Sequence, residues 1–324
     1  MSFWKGKKVL VTGATGLIGG WLCKLLLEQG ASVEGYDTEP LGTLRWHDLD
    51  GKFTVHDASI LSGTEMVPLA MWEVTKNKDA VFHLAANSGV DSCTDNGYSA
   101  FRVNILGTMN VLEACRQAQG IKSVLVASSN HIYGEQLVRP TPETAPLNQL
   151  DTYSASKTCA DYLGRAYAHN YGVPTVIARN TNCYGPCDPH VDHIIPSTIL
   201  SLLRDERPVI RTDGQNRKSY IHVKDVARAY LMMSKWVAEG GEHGKPFNAS
   251  GPTYSVRVLV DHIIRAYGTR TEPLVKNARY GLQHEDLDSS ELERCTGWKP
   301  IVPLGEGLKE TIRWFREWWT SECW

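Results

Sequence analysis

Ser129, Tyr153 and Lys157 are three residues whose types and spacing can do chemistry together. Tyr153 and Lys157 stand four apart, as Y-x-x-x-K, so a helix starting there puts both on one face. A phenol with a pKa of about 10 is a poor base at neutral pH. A neighbouring ammonium stabilises the phenolate and lowers that value. Tyr153 can then take the proton of a hydroxyl while hydride leaves the same carbon. Ser129, closing an apolar run, is placed to hydrogen-bond the reacting oxygen.

The hydride acceptor is suggested by a second pattern, VLVTGATGLIGG. Gly13, Gly16 and Gly19 follow a short apolar run and open a helix, with Leu17 and Ile18 between them. Such glycines allow a sharp turn, backbone approach to a pyrophosphate, and close helix–strand packing. The pyrophosphate then rests on free N–H groups at the helix start. The spacing is G-x-x-G-x-x-G rather than G-x-G-x-x-G. Asp37 ends the next strand, where an acid accepts from the adenosine ribose hydroxyls and repels a 2′-phosphate. NAD is therefore expected, with NADP the alternative that Arg45 leaves open. Asp57 and Ala58 follow the third strand; Asp57 suits either an adenine amino group or a helix cap. Leu84, Ala85 and Ala86 end the fourth strand with residues small enough for close cofactor approach.

The elements that must position these residues alternate. Strands are expected at 8–12, 32–36, 53–56, 80–84, 123–127 and 175–178, and helices at 21–29, 98–119 and 153–171. Val- and Leu-rich runs separated by helices indicate an α/β fold: a Rossmann-type, doubly wound parallel sheet covered on both faces. After Asn180, Pro and Gly punctuate the chain. We expect a cofactor domain over 1–180 plus about 220–250. A smaller, interleaved C-terminal substrate domain takes 181–219 and 251–324. Between its two parts the chain returns to the cofactor domain, where 220–222 followed by a helix over 223–235 packs back on the sheet. A last helix over 304–319 carries Leu308, Ile312, Phe315 and Trp319 at helical spacing, a stripe for core packing.

TGATGLIGG, HLAA, ASSNHIYG, YSASK, RNTNCYGP, GQNRKSYIHVKDVARA and LDSSELERCTGWKP together resemble the extended short-chain dehydrogenase/reductase family over almost the whole chain. Its members include nucleotide-sugar epimerases, 4,6-dehydratases and decarboxylases. The resemblance implies NAD, a nucleotide-sugar substrate, and a homodimer built through a four-helix bundle. By position it implies that Asn182 contacts the substrate phosphates and Arg217 pairs with the pyrophosphate, with Arg211 and His222 as further substrate contacts. Lys157 also holds the nicotinamide ribose.

FWKGKKVLVTG with GGWL, and HEDLDSSELERCTGWKP, resemble CDP-glucose 4,6-dehydratases in particular. Such enzymes oxidise C4, remove the C5 proton, expel the C6 hydroxyl and return hydride to C6. The residues after the strand-end Ser/Thr then form an acid–base pair, often Asp-Glu or Asp-Lys. Here they are Asn130 and His131. An amide donates no acid proton, whereas His131 can act as base or acid. The pattern is also similar to epimerases, of the 4-epimerase or CDP-sugar 2-epimerase type, and to uronate dehydrogenases. A catalytically silent NAD-binding protein is the remaining reading, and the intact Ser129/Tyr153/Lys157 set argues against it.

Composition excludes other classes. A net charge of −2 gives no electrostatic reason to expect nucleic acid or an anionic membrane. Eight scattered cysteines, with only Cys183 and Cys187 close together and not as C-x-x-C, point to reduced thiols and no metal. The N-terminus runs straight into a strand with no signal peptide or spanning stretch, so a cytoplasmic protein is expected.

Overall fold

The computed structural model describes residues 2–39, 42–62, 69–278 and 282–320, with the side chains of 319 and 320 outside the description. Its strands in chain order are β1 Lys8–Thr12, β2 Ser32–Asp37, β3 Thr54–Asp57, β4 Ala80–His83, β5 Ser123–Ala127, β6 Thr175–Asn180, β7 Asn182–Tyr184, β8 Val209–Ile210, β9 Arg217–His222, β10 Lys245–Ala249, β11 Thr253–Ser255, β12 Leu274–Val275 and β13 His284–Glu285.

Seven of these form one sheet in the order β10-β6-β5-β4-β1-β2-β3, and every neighbouring pair is parallel. The chain runs outward from β1 to β3, then crosses back to β4 and continues the other way. Loops after β1 and β4 therefore diverge, which opens a crevice at the carboxyl ends of these two strands. Alternation along the strands feeds two cores. Val9 and Val11 join one hydrophobic cluster and Leu10 the other; Leu125 likewise opposes Val124 and Val126. The expected doubly wound Rossmann sheet is what the chain forms.

Beyond β6 a smaller lobe collects around β9, which pairs with β7, β11 and β13. The helix Val223–Ala238 leaves this lobe and packs on β5, β6 and the helix Leu17–Glu28. A third core lies in the smaller lobe and includes Ile199, Leu259, Ile263, Leu308, Ile312, Phe315 and Trp318. The stripe of the last helix, Leu304–Thr320, is thus core, although Trp319's side chain lies outside the described residues.

Two elements differ from expectation. The first helix begins at Leu17, not residue 21, because Gly16 already has extended backbone and serves as its N-cap. The long helix expected over 98–119 is three pieces, Gly97–Phe101, a π-helical turn Arg102–Gly107, and Thr108–Gln117. Inside the wide turn Asn104 is buried, accepting from Asn87 N–H (2.8 Å) and donating to Ser156 Oγ (2.8 Å). A regular hydrophobic spacing does not reveal such a turn.

The helix Thr152–Tyr171 carries Tyr153 and Lys157. Asp151 caps it, accepting from Ser154 N–H at 3.0 Å. Farther along, Asp161 makes a buried two-bond pair with Arg179 of β6 (2.8 and 2.9 Å), pinning the helix to the sheet. Among the described residues no helix is long and apolar enough to cross a membrane. The seven described cysteines are free.

Candidate active site

The crevice at the switch point is a cleft of about 1250 Å³ running between the large sheet and the smaller lobe. Its first wall is the loop after β1. Gly13 has a φ of +71°, and a Cβ there would lie 2.7 Å from Ala85 N and 2.8 Å from Leu84 C. A Cβ on Gly19 would fall 1.9 Å from Gly13 O. Both positions therefore demand glycine for reasons internal to the chain. Gly16 is different: a Cβ there would only touch Gly13 O at 3.6 Å, an ordinary contact. Gly16 lines the cleft, so the space a side chain would fill belongs to whatever lies on the loop. That cradle fits a pyrophosphate approaching the backbone.

Asp37 closes the same wall. Its carboxylate accepts from Thr15 N–H (3.0 Å), Thr15 Oγ (2.8 Å) and Thr38 N–H (2.8 Å), which fixes its orientation and leaves lone pairs for a diol. Gly13, Gly16, Leu17, Ile18, Gly19, Asp37, Ala58, Leu84, Ala85 and Ala86 all line the cleft, with Arg45 at the same end. Asp57 does not. It is exposed at the end of β3, and the cleft wall begins one residue later at Ala58.

The second wall holds the reacting groups. Ser129, Asn130, His131, Tyr153 and Lys157 come together in the cleft from the end of β5 and the start of the helix Thr152–Tyr171. Burial raises the Tyr153 phenol to about 12, and a hydrogen bond with Ser129 acts in the opposite direction. Burial also lowers the Lys157 ammonium to about 8. Lys157 Nζ donates to Ala127 O at 3.0 Å. Desolvation dominates in so dry a place. Additional positive charge close to Tyr153 would oppose it. His131 stacks edge-on to Tyr153, ring centroids 5.9 Å apart, and its backbone N–H donates to Ser129 Oγ at 3.2 Å.

The third wall comes from the smaller lobe. Asn182 and Arg211 line it; Arg217 and His222 do not. Strand alternation accounts for Arg217: Asn216, Lys218 and Tyr220 face the cleft, whereas Arg217 is exposed on the other side of β9. His222 is buried against Tyr184, accepts from Lys224 N–H through Nδ1, and is pushed down to about 4 by burial. It caps the helix Val223–Ala238. Near the mouth, His190, Asp192 and His193 gather with side-chain donor atoms within 4.8 Å of one another, two of the three being exposed.

Two cleft residues escaped the sequence reading. Lys218 Nζ lies 2.5 Å from Glu285 Oε1, and Glu285 sits at the end of β13, paired in register with Lys218. Burial opposes ionisation of Glu285, but Lys218, His131 and Asn130 outweigh it and hold the carboxyl at about 2. A two-residue strand gives no periodicity to read. The available signals were the alternation of residues 216–220 and the acid within HEDLDSS.

A bilobal α/β chain with a glycine cradle, a strand-end acid and a Ser/Tyr/Lys set has the arrangement of a nicotinamide-dependent enzyme. The profile of the NAD dependent epimerase/dehydratase family matches residues 9–250, and the chain belongs to that family. It is 27% identical to CDP-glucose 4,6-dehydratase of Salmonella typhimurium, over 99% of this chain and 94% of that one. A UDP-glucose 4-epimerase from Thermotoga maritima, solved with UDP-glucose, superposes with a TM-score of 0.87 at 28% identity, covering 96% and 99% of the two chains. A trifunctional UDP-glucose 4,6-dehydratase of Arabidopsis thaliana is 29% identical over 98% of this chain; the chain spans about half (48%) of its length. Relatives thus include both dehydratases and epimerases. The cofactor is NAD.

Proposed function

We propose that the protein is a nucleotide-sugar 4,6-dehydratase working through a 4-keto hexose. The observation that carries this is the placement of His131 beside Tyr153 in the same cleft, with buried Glu285 3.6 Å from its Nε2. A 4-epimerase needs Tyr153, Lys157 and Ser129 and no further proton-handling group. Dehydration needs one, because a proton must leave C5 and a hydroxyl must leave C6.

NAD, when bound, supplies the acceptor that takes hydride from C4 and later returns it. The loop at Gly16, shaped by Gly13 and Gly19, would carry its pyrophosphate, Asp37 would hold its adenosine ribose, and Lys157 its nicotinamide ribose. Tyr153 takes the C4 hydroxyl proton while Ser129 holds the oxygen. Asn182 and Arg211 hold the substrate diphosphate, a guanidinium being suited to phosphate.

Incubation with CDP-, dTDP-, UDP- and GDP-hexoses, followed by mass spectrometry, tests the proposal. Loss of one water is expected. Unchanged mass with a new sugar by NMR would make the enzyme an epimerase, and that second reading rests on the relatives of both kinds. Inert nucleotide sugars together with NAD reduction by a free uronic acid would overturn both.

We also infer a homodimer. Tyr98, Phe101, Leu106 and Met109 are exposed along one helical face, and Tyr162 is exposed on the helix packed beside it. Apolar residues clustered in this way mark an interface. Light scattering should give twice the chain mass, and Leu106→Glu should halve it; a monomeric wild type would refute this.

A further inference from the structure

Glu285 is an acid that oxidation at C4 does not use. Its side chain is 2% exposed, and four groups converge on it. Lys218 Nζ is 2.5 Å away, Asn130 Nδ2 donates at 2.9 Å, Asn182 Nδ2 at 3.3 Å, and His131 Nε2 lies at 3.6 Å. An ion in so buried a place survives only with such partners. Lys218 is the nearer cationic partner and the imidazole the more distant one. Its placement is informative because His131 is the residue left to move protons after oxidation. At 3.6 Å the carboxylate acts on that ring nitrogen through its charge rather than through a hydrogen bond, favouring the tautomer with its proton there and leaving the other nitrogen as the base.

We propose that Glu285 is the positioning residue of this acid–base step: it holds the His131 proton on Nε2 and stabilises the imidazolium formed during dehydration. The proposal rests on the dehydratase reading. In the 4-ketone the C5–H bond breaks. Its proton goes to the free ring nitrogen, and its electron pair forms the C4–C5 enolate. The C6–O bond then breaks as His131 returns that proton to the departing hydroxyl. Water leaves, and the electron pair forms the C5–C6 double bond conjugated to the C4 carbonyl. Asn130 and Asn182 both donate to the same Oε2 and fix the carboxylate's orientation.

The test uses NAD-loaded enzyme in single turnover in deuterated water, with the nucleotide hexose that wild type dehydrates. Near-ultraviolet absorbance of the reduced cofactor reads C4 oxidation; mass spectrometry reads water loss and deuterium at C5. Glu285→Gln should oxidise C4 within about threefold of wild type and lose water about 100-fold more slowly, the scale of general acid–base catalysis. Glu285→Asp should recover about tenfold of that. Equal slowing of both signals would reduce Glu285 to a structural role and overturn the proposal. If Glu285→Gln does not fold, Lys218→Met/Glu285→Gln, which leaves no unpaired buried charge, is read the same way.

A second measurement needs no turnover. In protein labelled with ¹⁵N-histidine, the His131 signal is assigned by its loss in His131→Gln. Wild type should carry the neutral-ring proton on Nε2, and Glu285→Gln should redistribute it. Identical tautomer populations would overturn the proposal. A wild type that oxidises C4 but neither loses water nor exchanges at C5 would instead overturn the dehydratase reading, and the labelled-histidine comparison would then judge the Glu285–His131 coupling by itself.

Discussion

Replacing Lys157 by Met should inactivate the enzyme and stabilise it. Lys157 is 6% exposed, and burial lowers its ammonium from 10.5 to about 8. A drop of about 2.5 corresponds to a cost near 3 kcal/mol for keeping the charge at neutral pH. Met retains the packing of the stem and loses the bond to Ala127 O, which is worth about 1 kcal/mol. The net gain is about 2 kcal/mol. For 324 residues the unfolding entropy is about 0.7 kcal/mol per degree, so Tm should rise by about 3 °C. The pH dependence has a definite sign. Between about pH 8 and 10 the unfolded chain binds a proton at Lys157 that the folded chain has released, so wild-type stability rises with pH there relative to Lys157→Met. The gap between them should close over that window. Above about pH 10 the raised Tyr153 acts the other way and destabilises the fold, so the comparison stops there. Denaturant melts of both proteins without cofactor, at pH 7, 8, 9 and 10, provide the assay. A variant that melts below wild type at pH 7, or a gap that does not narrow, would refute a costly buried ammonium.

Other expectations follow from single contacts. Tyr153→Phe should abolish turnover yet leave NAD affinity, read by calorimetry, within about threefold, because the ring stays and only the proton carrier is lost. Arg211→Ala should raise KM about tenfold, near 1.4 kcal/mol, whereas Arg217→Ala should change it less than twofold; the reverse result would place β9 in the wrong register. Gly19→Ala puts a methyl 1.9 Å from Gly13 O, so calorimetry should find NAD binding weakened at least about 100-fold by the displaced cradle. Arg179→Met leaves Asp161 buried without its two-bond partner and should cost about 3–5 kcal/mol in urea melts.

Much of this protein is legible in the chain. The parallel sheet follows from short Val- and Leu-rich runs between helices, because strands buried on both faces need apolar residues throughout. The glycine loop, Asp37 and the Ser129/Tyr153/Lys157 set follow from spacing, because each is positioned by one local strand–turn–helix unit. What the structure places outside the cleft depended on distant partners. Arg217 and Lys218 are adjacent cations, and only the pairing of β9 decides which one faces the cleft. His222 has the composition of a substrate ligand, but its neighbours Tyr184 and Glu310 come from elsewhere in the chain and bury it as a cap. Asp57 stops one residue short of the wall that Ala58 begins.

The sequence by itself therefore determined the cofactor and the sheet, and it picked out the Ser129/Tyr153/Lys157 set that the cleft gathers. Only the tertiary structure decided what stands behind His131. Asn130 marks where an acid was expected next along the chain, and the acid that is present, Glu285, is 155 residues away. The physical reason is that a carboxylate needs partners rather than chain neighbours: Lys218 and two amides make its burial tolerable, and they meet only when the smaller lobe folds against the sheet.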